Sequence, residues 1–301
     1  MNTSSAALTL PFLRSRSPSR WLPLALFTVL VLLWAYNYVV MKQTLQATTP
    51  ITHLILRTAL SSLTLFGVLL ARGRAIRPQR LGQAAQVGLS TTFLYSLSIT
   101  LALVAGAAGR TSVLVFTMPF WVALLSRGLL GEPFTLRARQ ALLAGFAGLM
   151  LIVAPWQLQG GLLPMLLAVL AGFFWALGSV LSKRATQGGQ LDSLNFSAWQ
   201  ALIGLLPMLA LWPWADFAHI RWSTGFVLGM VYAGVLSSAV GWLAWLWLLK
   251  RLPASTLSFN ALVIPVLAVM MAASQLGEWP VWRELAGMLL VGMGIVLIAR
   301  R

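Results

Sequence analysis

Pro119 and Pro265 stand at matching places in two long apolar runs, and that pairing constrains this chain more than any other feature. The first run, Arg110 to Pro133, reads RTSVLVFTMPFWVALLSRGLLGEP; the second, Thr256 to Pro280, reads TLSFNALVIPVLAVMMAASQLGEWP. Pro119 leads Gly131-Glu132 by the spacing that separates Pro265 from Gly277-Glu278, at a constant offset of 146 residues. A shared offset of this kind marks an internal repeat. A proline inside a helix removes one backbone hydrogen bond and usually kinks it. Two interrupted apolar helices at corresponding places in two halves point to a transporter's binding site.

Apolar runs of about 20 residues, the length of a membrane-spanning helix, recur along the whole chain. They fall at 22–41, 51–71, 82–104, 110–131, 138–155, 162–182, 193–213, 224–248, 254–276 and 283–299. With 59% hydrophobic and 9% charged residues among 301, little chain remains for an aqueous domain. The repeat extends beyond the prolines. LLWAYNYVVMK (Leu32 to Lys42) is echoed by FFWALGSVLSK (Phe173 to Lys183) at an offset of 141. Five spans per repeat is an odd number, so the second half enters the membrane from the opposite side. The expected fold is an all-α integral membrane protein of ten transmembrane helices in two inverted five-helix repeats, residues 21–155 and 162–301. The boundary falls in a short outer loop, Pro155 to Gly161. Residues 1–20, polar and rich in Ser and Arg, are predicted to be a disordered cytoplasmic tail before an uncleaved first span. Small-residue faces on the fifth span (Ala141, Gly145, Gly148) and the tenth (Gly287, Gly292, Gly294) suit close helix approach, within the chain or in a homodimer.

The net charge of +16 invites a nucleic-acid reading, but its distribution argues against one. With the N-terminus inside, the cytoplasmic segments hold 16 of the 21 Lys and Arg residues, among them Arg72, Arg74, Arg77, Arg80, Lys183, Arg184, Lys250 and Arg251. The outer segments hold four, Lys42, Arg110, Arg221 and Arg283, and Arg57 lies within a span. The positive-inside rule then makes both termini cytoplasmic, and attraction to anionic lipid accounts for the excess charge. There is no cysteine, no P-loop and no H-E-x-x-H, so no metal, cofactor or catalytic constellation is expected.

W-A-Y-N-Y-V-V-M-K, the paired Pro-x11-Gly-Glu elements and LLKRLPASTLSFNALVIP resemble the EamA domain of the drug/metabolite transporter superfamily, over about residues 22–300. The resemblance implies a ten-helix carrier of a bacterial-type inner membrane, typically an exporter of amino acids or other small metabolites. It also implies that helices 1, 3, 4, 6, 8 and 9 line the central cavity. After span 3 the first half departs from the pattern, with VAGAAGR in place of a KRLPA-like turn.

Pro119 and Pro265 are the candidate hinges. Each frees the carbonyl four residues earlier, Val115 and Ala261, which is best accommodated facing a wet cavity; the plain alternative is a static kink. Trp34 and Trp175 lie near the midplane, as cavity walls or as packing. Asn37, one turn from Trp34, and Asn260, one turn before Pro265, are either substrate contacts or interhelical ties. Thr91, Tyr95 and Ser98 share a helical face, as do Ser238, Trp242 and Trp245. Phe116 and Trp121 flank Pro119 and face either substrate or lipid. Arg57 either contacts a substrate carboxylate or, as a long side chain at shallow depth, reaches back to the interface. Gln200 is its counterpart in the second half. Of the five carboxylates, Glu132, Asp192, Asp216, Glu278 and Glu284, none is at the middle of a span, and both histidines, His53 and His219, fall at the outer rim. Glu132 and Glu278 read as structural caps. Nothing here supports coupling to an ion. The expected function is export of a small neutral or zwitterionic metabolite, such as an amino acid. A membrane-embedded enzyme acting on a lipid-linked substrate, or a non-transporting scaffold, are the alternatives.

Overall fold

The computed structural model describes residues 21–133, 136–153, 161–187 and 189–299. The predicted N-terminal tail, most of the Pro155 to Gly161 loop and Arg300 and Arg301 lie outside the described residues. Among those described, the chain forms ten long helices and a short 3-10 turn at Trp212–Trp214. The helices are α1 Trp21–Thr44, α2 Pro50–Ala71, α3 Leu81–Ala105, α4 Ala108–Leu130, α5 Leu136–Val153, α6 Leu162–Gln187, α7 Ser193–Leu209, α8 Thr224–Leu249, α9 Ala254–Leu276 and α10 Trp282–Ala299. Seven of them, all but α5, α7 and α10, are long and apolar enough to cross a membrane. The protein is therefore an all-α multi-pass membrane protein.

Apolar helices of this length must satisfy their backbone internally, since lipid offers no partners. Their ends are set by a few polar residues. Thr49 caps α2 ahead of Pro50, Asp192 accepts from the N–H groups of Leu194 and Asn195 at the start of α7, and Ser223 caps α8. Gly131 and Gly277 close α4 and α9 with φ of +68° and +70°, a conformation that favours glycine.

Helices α4 and α9 lie antiparallel. The first segment of α4, Ala108–Val115, packs on the second segment of α9, Val263–Leu276, and Met118–Leu130 packs on Ala254–Asn260. The other contacts repeat in the same crosswise manner. Helix α1 packs on the end of α9 and on α8, α6 packs on the end of α4 and on α3, and α2 packs on α7. Helices α5 and α10 share the most extensive helix–helix contact of the described chain, with Gly145, Gly148 and Gly287 buried. Gly145 faces Phe120 of α4; the surroundings of Ala141, Gly292 and Gly294 lie outside the described residues.

Charged side chains fasten the helix ends in matched pairs. Lys42 Nζ donates to the carbonyls of Leu103 and Gly106 at the end of α3, both at 2.7 Å. Lys183 Nζ donates to Leu249 and Leu252 at the end of α8, at 2.6 and 2.9 Å. Cations are favourable at helix C-termini and carboxylates at N-termini. Glu132, at the end of α4, accepts from the N–H groups of Ala254 and Ser255 and from the Ser255 hydroxyl at the start of α9. Glu278, at the end of α9, accepts from the Gly109 N–H at the start of α4. The motif glutamates therefore cap the broken helix of the opposite half, where the sequence suggested only that they end their own. VAGAAGR in place of KRLPA keeps the crosswise backbone cap, but without a counterpart among the described residues to the Ser255 hydroxyl bond. Ala107 (φ −68°, ψ 142°) and Pro253 (φ −55°, ψ 143°) hold nearly the same conformation ahead of α4 and α9.

Two irregularities recur in both halves. Helix α3 widens to π-helical winding over Gly88–Tyr95, and α8 does so over Tyr232–Val240. Helix α4 breaks at 116–117 and α9 at 261–262, just before the two prolines. At the breaks the chain tightens to i−3 bonds, Thr117 N–H to Leu114 O at 3.1 Å and Leu262 N–H to Phe259 O at 3.1 Å. The carbonyls expected to open on a cavity do not. Ala261 O accepts from Ile264 N–H at 2.9 Å. Val115 O faces Gly172 of α6, where an added Cβ would lie 2.5 Å away. Tighter turns and close helix approach absorb what the prolines leave unpaired.

Candidate functional site

A cavity of about 90 Å³ lies among α1, α2, α3, α7 and α8, with single contributions from α4, α6 and α9. Helices α2 and α7 fall outside the set that the resemblance implies, yet they line it with Arg57, Thr58, Ser61 and Leu65 and with Ser197, Gln200 and Ala201. Both π-helical stretches reach it, through Thr91, Thr92 and Tyr95 and through Ser237 and Ser238. Such stretches are frequent at functional sites.

Of the residues singled out in sequence, Trp34, Asn37, Arg57, Thr91, Tyr95, Phe116, Trp175, Ser238 and Trp242 come together on this lining. Ser98, Trp121 and Asn260 do not, nor do Pro119 and Pro265, which are buried in the packing. Ser98 is displaced for a specific reason. The i, i+4, i+7 rule assumes 3.6 residues per turn, and the wider winding that ends at Tyr95 changes the phase, so Thr92 and Ser96 line the cavity instead. Trp121 is edge-on to Phe173 at 5.5 Å, with its indole N–H unpartnered among the described residues. Asn260 is buried with its amide nitrogen unpartnered among them.

The aromatic wall is a cluster of edge-to-face and tilted rings. Trp34 and Trp175 meet edge to face at 5.2 Å, and fully buried Trp245 lies 5.3 and 5.7 Å from them. Tyr95 and Phe116 pack on Trp175 at 5.8 and 5.2 Å. Three indoles are pinned by hydrogen bonds: Trp34 donates to Ser237 O (3.0 Å), Trp242 to Gln200 Oε1 (2.8 Å) and Trp245 to Ser179 Oγ (3.1 Å). Cavity wall and packing are thus one arrangement here.

Arg57 is the charge in this wall. Its side chain stays buried instead of reaching back to the rim, with Nε donating to Ser238 Oγ at 2.9 Å and Nη1 to Met41 Sδ at 3.3 Å. Its carbonyl adjoins Gly234, ten residues into α8 and so roughly 15 Å from that helix end. No carboxylate pairs with it among the described residues. A charged side chain near the bilayer centre costs about 3 kcal/mol on insertion scales, and here only neutral groups offset that. Asn37 donates to the same Met41 sulfur at 3.2 Å, and its Oδ1 is buried and unpartnered among the described residues. In the other half the Gln200 carbonyl adjoins Gly88 as that of Arg57 adjoins Gly234, so Gln200 is the geometric counterpart of Arg57. Sequence reasoning missed Tyr38, Thr58, Ser61 and Leu65. The signal for the α2 residues was present, since Ser61 and Leu65 follow Arg57 at helical spacing once Arg57 is turned inward.

Ion pairs elsewhere sit at the helix ends. Arg74 and Asp192 meet at 2.8 Å, and Gln79 and Asn195 tie the same two loops. Partial burial alone would raise the Asp192 carboxyl, but Arg74 and the α7 N–H groups outweigh it and hold the group below the usual carboxylate range. Burial lowers the Lys250 ammonium. At the other end exposed His219 bonds Asp216 at 2.8 Å, and the Asp216 N–H donates to Thr52 Oγ1. His53, expected at the rim, is fully buried and bonded through Nε2 to the Thr44 hydroxyl at 3.0 Å.

The model of the EamA-like transporter family matches the chain twice, over residues 21–154 and 162–300. The uncharacterized transporter YvbV of Bacillus subtilis (strain 168) is 30% identical over 279 residues, 91% of this chain and 90% of that protein. A probable amino-acid metabolite efflux pump of Salmonella typhimurium (strain LT2) is 27% identical over 291 residues, 91% of this chain and 93% of that protein. A crystal structure at 17% identity shares the fold, with a TM-score of 0.73 over 92% of this chain and 96% of that one.

Proposed function

Since the chain belongs to the EamA-like transporter family and is a secondary membrane transporter of that type, we propose that it exports a small neutral or zwitterionic metabolite, such as an amino acid, by alternating access. The enzyme alternative falls away, because the family and these relatives are transporters. The observation that carries the proposal is the Arg57 and tryptophan-lined cavity between the matched halves. The Salmonella relative, a probable amino-acid efflux pump, supports the substrate class. The antiparallel α4 and α9, the reciprocal glutamate caps and the paired lysine caps support ten membrane-crossing helices in two inverted repeats, 21–155 and 162–301. On this reading the halves rock about the cavity, with α4 and α9 bending at their breaks beside Pro119 and Pro265. The charge asymmetry supports an inner-membrane orientation with both termini cytoplasmic.

Efflux from proteoliposomes tests the mechanism. Pro119→Ala with Pro265→Ala should slow transport about tenfold or more, about 1.4 kcal/mol on the barrier; wild-type rates would remove the hinge. The absence of cysteine makes orientation direct to read. Arg110→Cys and Arg283→Cys should label from outside, Arg77→Cys and Lys250→Cys from inside. A homodimer through α5 and α10 would use their outward faces, where Leu143, Phe146, Leu285 and Leu289 are exposed. Blue-native sizing beside vesicle flux separates such a dimer, or a non-transporting scaffold, from a monomeric carrier.

A further inference from the structure

We propose that the cavity takes a solute with one carboxylate and an adjacent ammonium, the carboxylate held by Arg57 and the ammonium by Asn37. This rests on the transporter reading above and narrows its substrate from neutral or zwitterionic to zwitterionic.

Arg57 is a donor set looking for an anion. A guanidinium carries five N–H donors, and its two hydrogen-bond partners among the described residues, the Ser238 hydroxyl and the Met41 thioether, are neutral and engage only part of that set. The remaining edge belongs to a residue on the cavity lining. The chain's own carboxylates are committed elsewhere: Glu132 and Glu278 cap helices, Asp192 pairs with Arg74, and Asp216 pairs with His219. Glu284 stands in the first turn of α10, no described side chain of which lines the cavity. A buried guanidinium in this position gains most from an anion that arrives with the ligand, since its planar fork matches a carboxylate in a bidentate pair.

Asn37 supplies the second half of the pattern. Its amide nitrogen and the Arg57 guanidinium converge on one sulfur, Met41 Sδ, so the two side chains lie side by side. That leaves Asn37 Oδ1 as a buried acceptor without a partner among the described residues, next to the cation. An acceptor beside a guanidinium fits the ammonium beside the carboxylate of an α-amino acid. An uncharged solute would leave the guanidinium unmatched, and a simple carboxylate would leave Asn37 so.

The other half limits the ligand to a single negative charge. Gln200, the geometric counterpart of Arg57, is neutral, and its oxygen is taken by the Trp242 indole. A second carboxylate would meet that amide and the rings of Trp34 and Trp175. The rings suit an uncharged, apolar side chain instead.

The test is ligand binding to the purified full-length protein in detergent, followed by thermal shift. The probes are the apolar proteinogenic amino acids, each paired with its methyl ester, which masks the carboxylate, and its N-acetyl form, which masks the ammonium. At least one acid should bind about tenfold or more tighter than its ester, since a site built around a buried polar group strongly rejects an analogue lacking the match. Arg57→Gln should erase the acid-to-ester preference and Arg57→Lys keep part of it. Asn37→Ala should erase the preference for the free amino acid over its N-acetyl form. The proposal is overturned if no acid outbinds its ester, or if Arg57→Gln leaves the preference intact. Should either variant fail to fold, the wild-type acid-to-ester and acid-to-N-acetyl ratios decide by themselves. Counterflow in wild-type proteoliposomes reports separately on transport, so uptake of any solute without acid-to-ester discrimination sinks this site and spares the carrier.

Discussion

Lys42 and Lys183 do the same work 141 residues apart, each tying the end of the helix two positions on, whereas Arg57 and Gln200 occupy equivalent places and differ in charge. The first pair belongs to the frame, the second to the cavity. The glutamate caps, the π-helical stretches and the helix breaks also recur in both halves. Asn37, by contrast, stands 141 residues from Gly178, and Tyr95 stands 146 from Gly241. Frame positions repeat because the two matched halves meet each other by the same joints. Cavity positions differ, and the solute proposed above, with a single carboxylate, calls for one cation and not two.

The comparison can be broken most forcefully at the closest helix contacts. An added Cβ at Gly88 would lie 2.5 Å from the Gln200 carbonyl, and one at Gly234 would lie 3.0 Å from that of Arg57. We expect Gly88→Ala to destabilise by about 2–3 kcal/mol and Gly234→Ala by nearer ~1 kcal/mol, as overpacking generally does. Thermal unfolding in detergent measures both, and equal losses would mean the halves pack more alike than these distances say. Next come the reciprocal caps. Among the described residues Glu132 takes three hydrogen bonds and Glu278 one, so Glu132→Ala should lose about 1–2 kcal/mol and Glu278→Ala about 0.5–1 kcal/mol. A larger loss at Glu278 would reverse that ranking.

The smallest effect concerns acid. The Asp192 carboxyl is held below its ordinary range in the folded protein, so its contribution is complete at neutral pH and is lost as pH falls through the lowered value. Asp192→Asn should therefore cost under about 1 kcal/mol of stability at neutral pH, and the difference should shrink as pH falls below the ordinary carboxylate range and close once the lowered value is passed. A difference that persisted there would mean that Asn disturbs the α7 cap itself, not the charge.

Much of the frame was legible because it rests on short, local rules. Apolar runs of fixed length gave the helices, and a constant offset between Pro119 and Pro265 gave the duplication. The phase of α3 was not legible, and Ser98 shows why: a few π-helical residues shift every later side chain, and that winding is stabilised by neighbours, not by its own letters. The partners of Glu132 and Glu278 were hidden for a similar reason, since the groups they cap are backbone N–H groups more than 120 residues away in sequence.

The sequence by itself determined that this chain lives in a membrane and is built twice, because hydrophobic length and repeated spacing are properties of the linear string. It also determined that Arg57 is the one arginine clearly inside a span, away from its ends, and that no carboxylate stands at mid-span. Only the tertiary structure decided what that arginine does. Burial against Ser238 and Met41, far from any carboxylate among the described residues, makes Arg57 a wall of the cavity and not a rim residue. Where a long side chain points in a membrane depends on which helices close around it, and that is a property of packing, not of position in the chain.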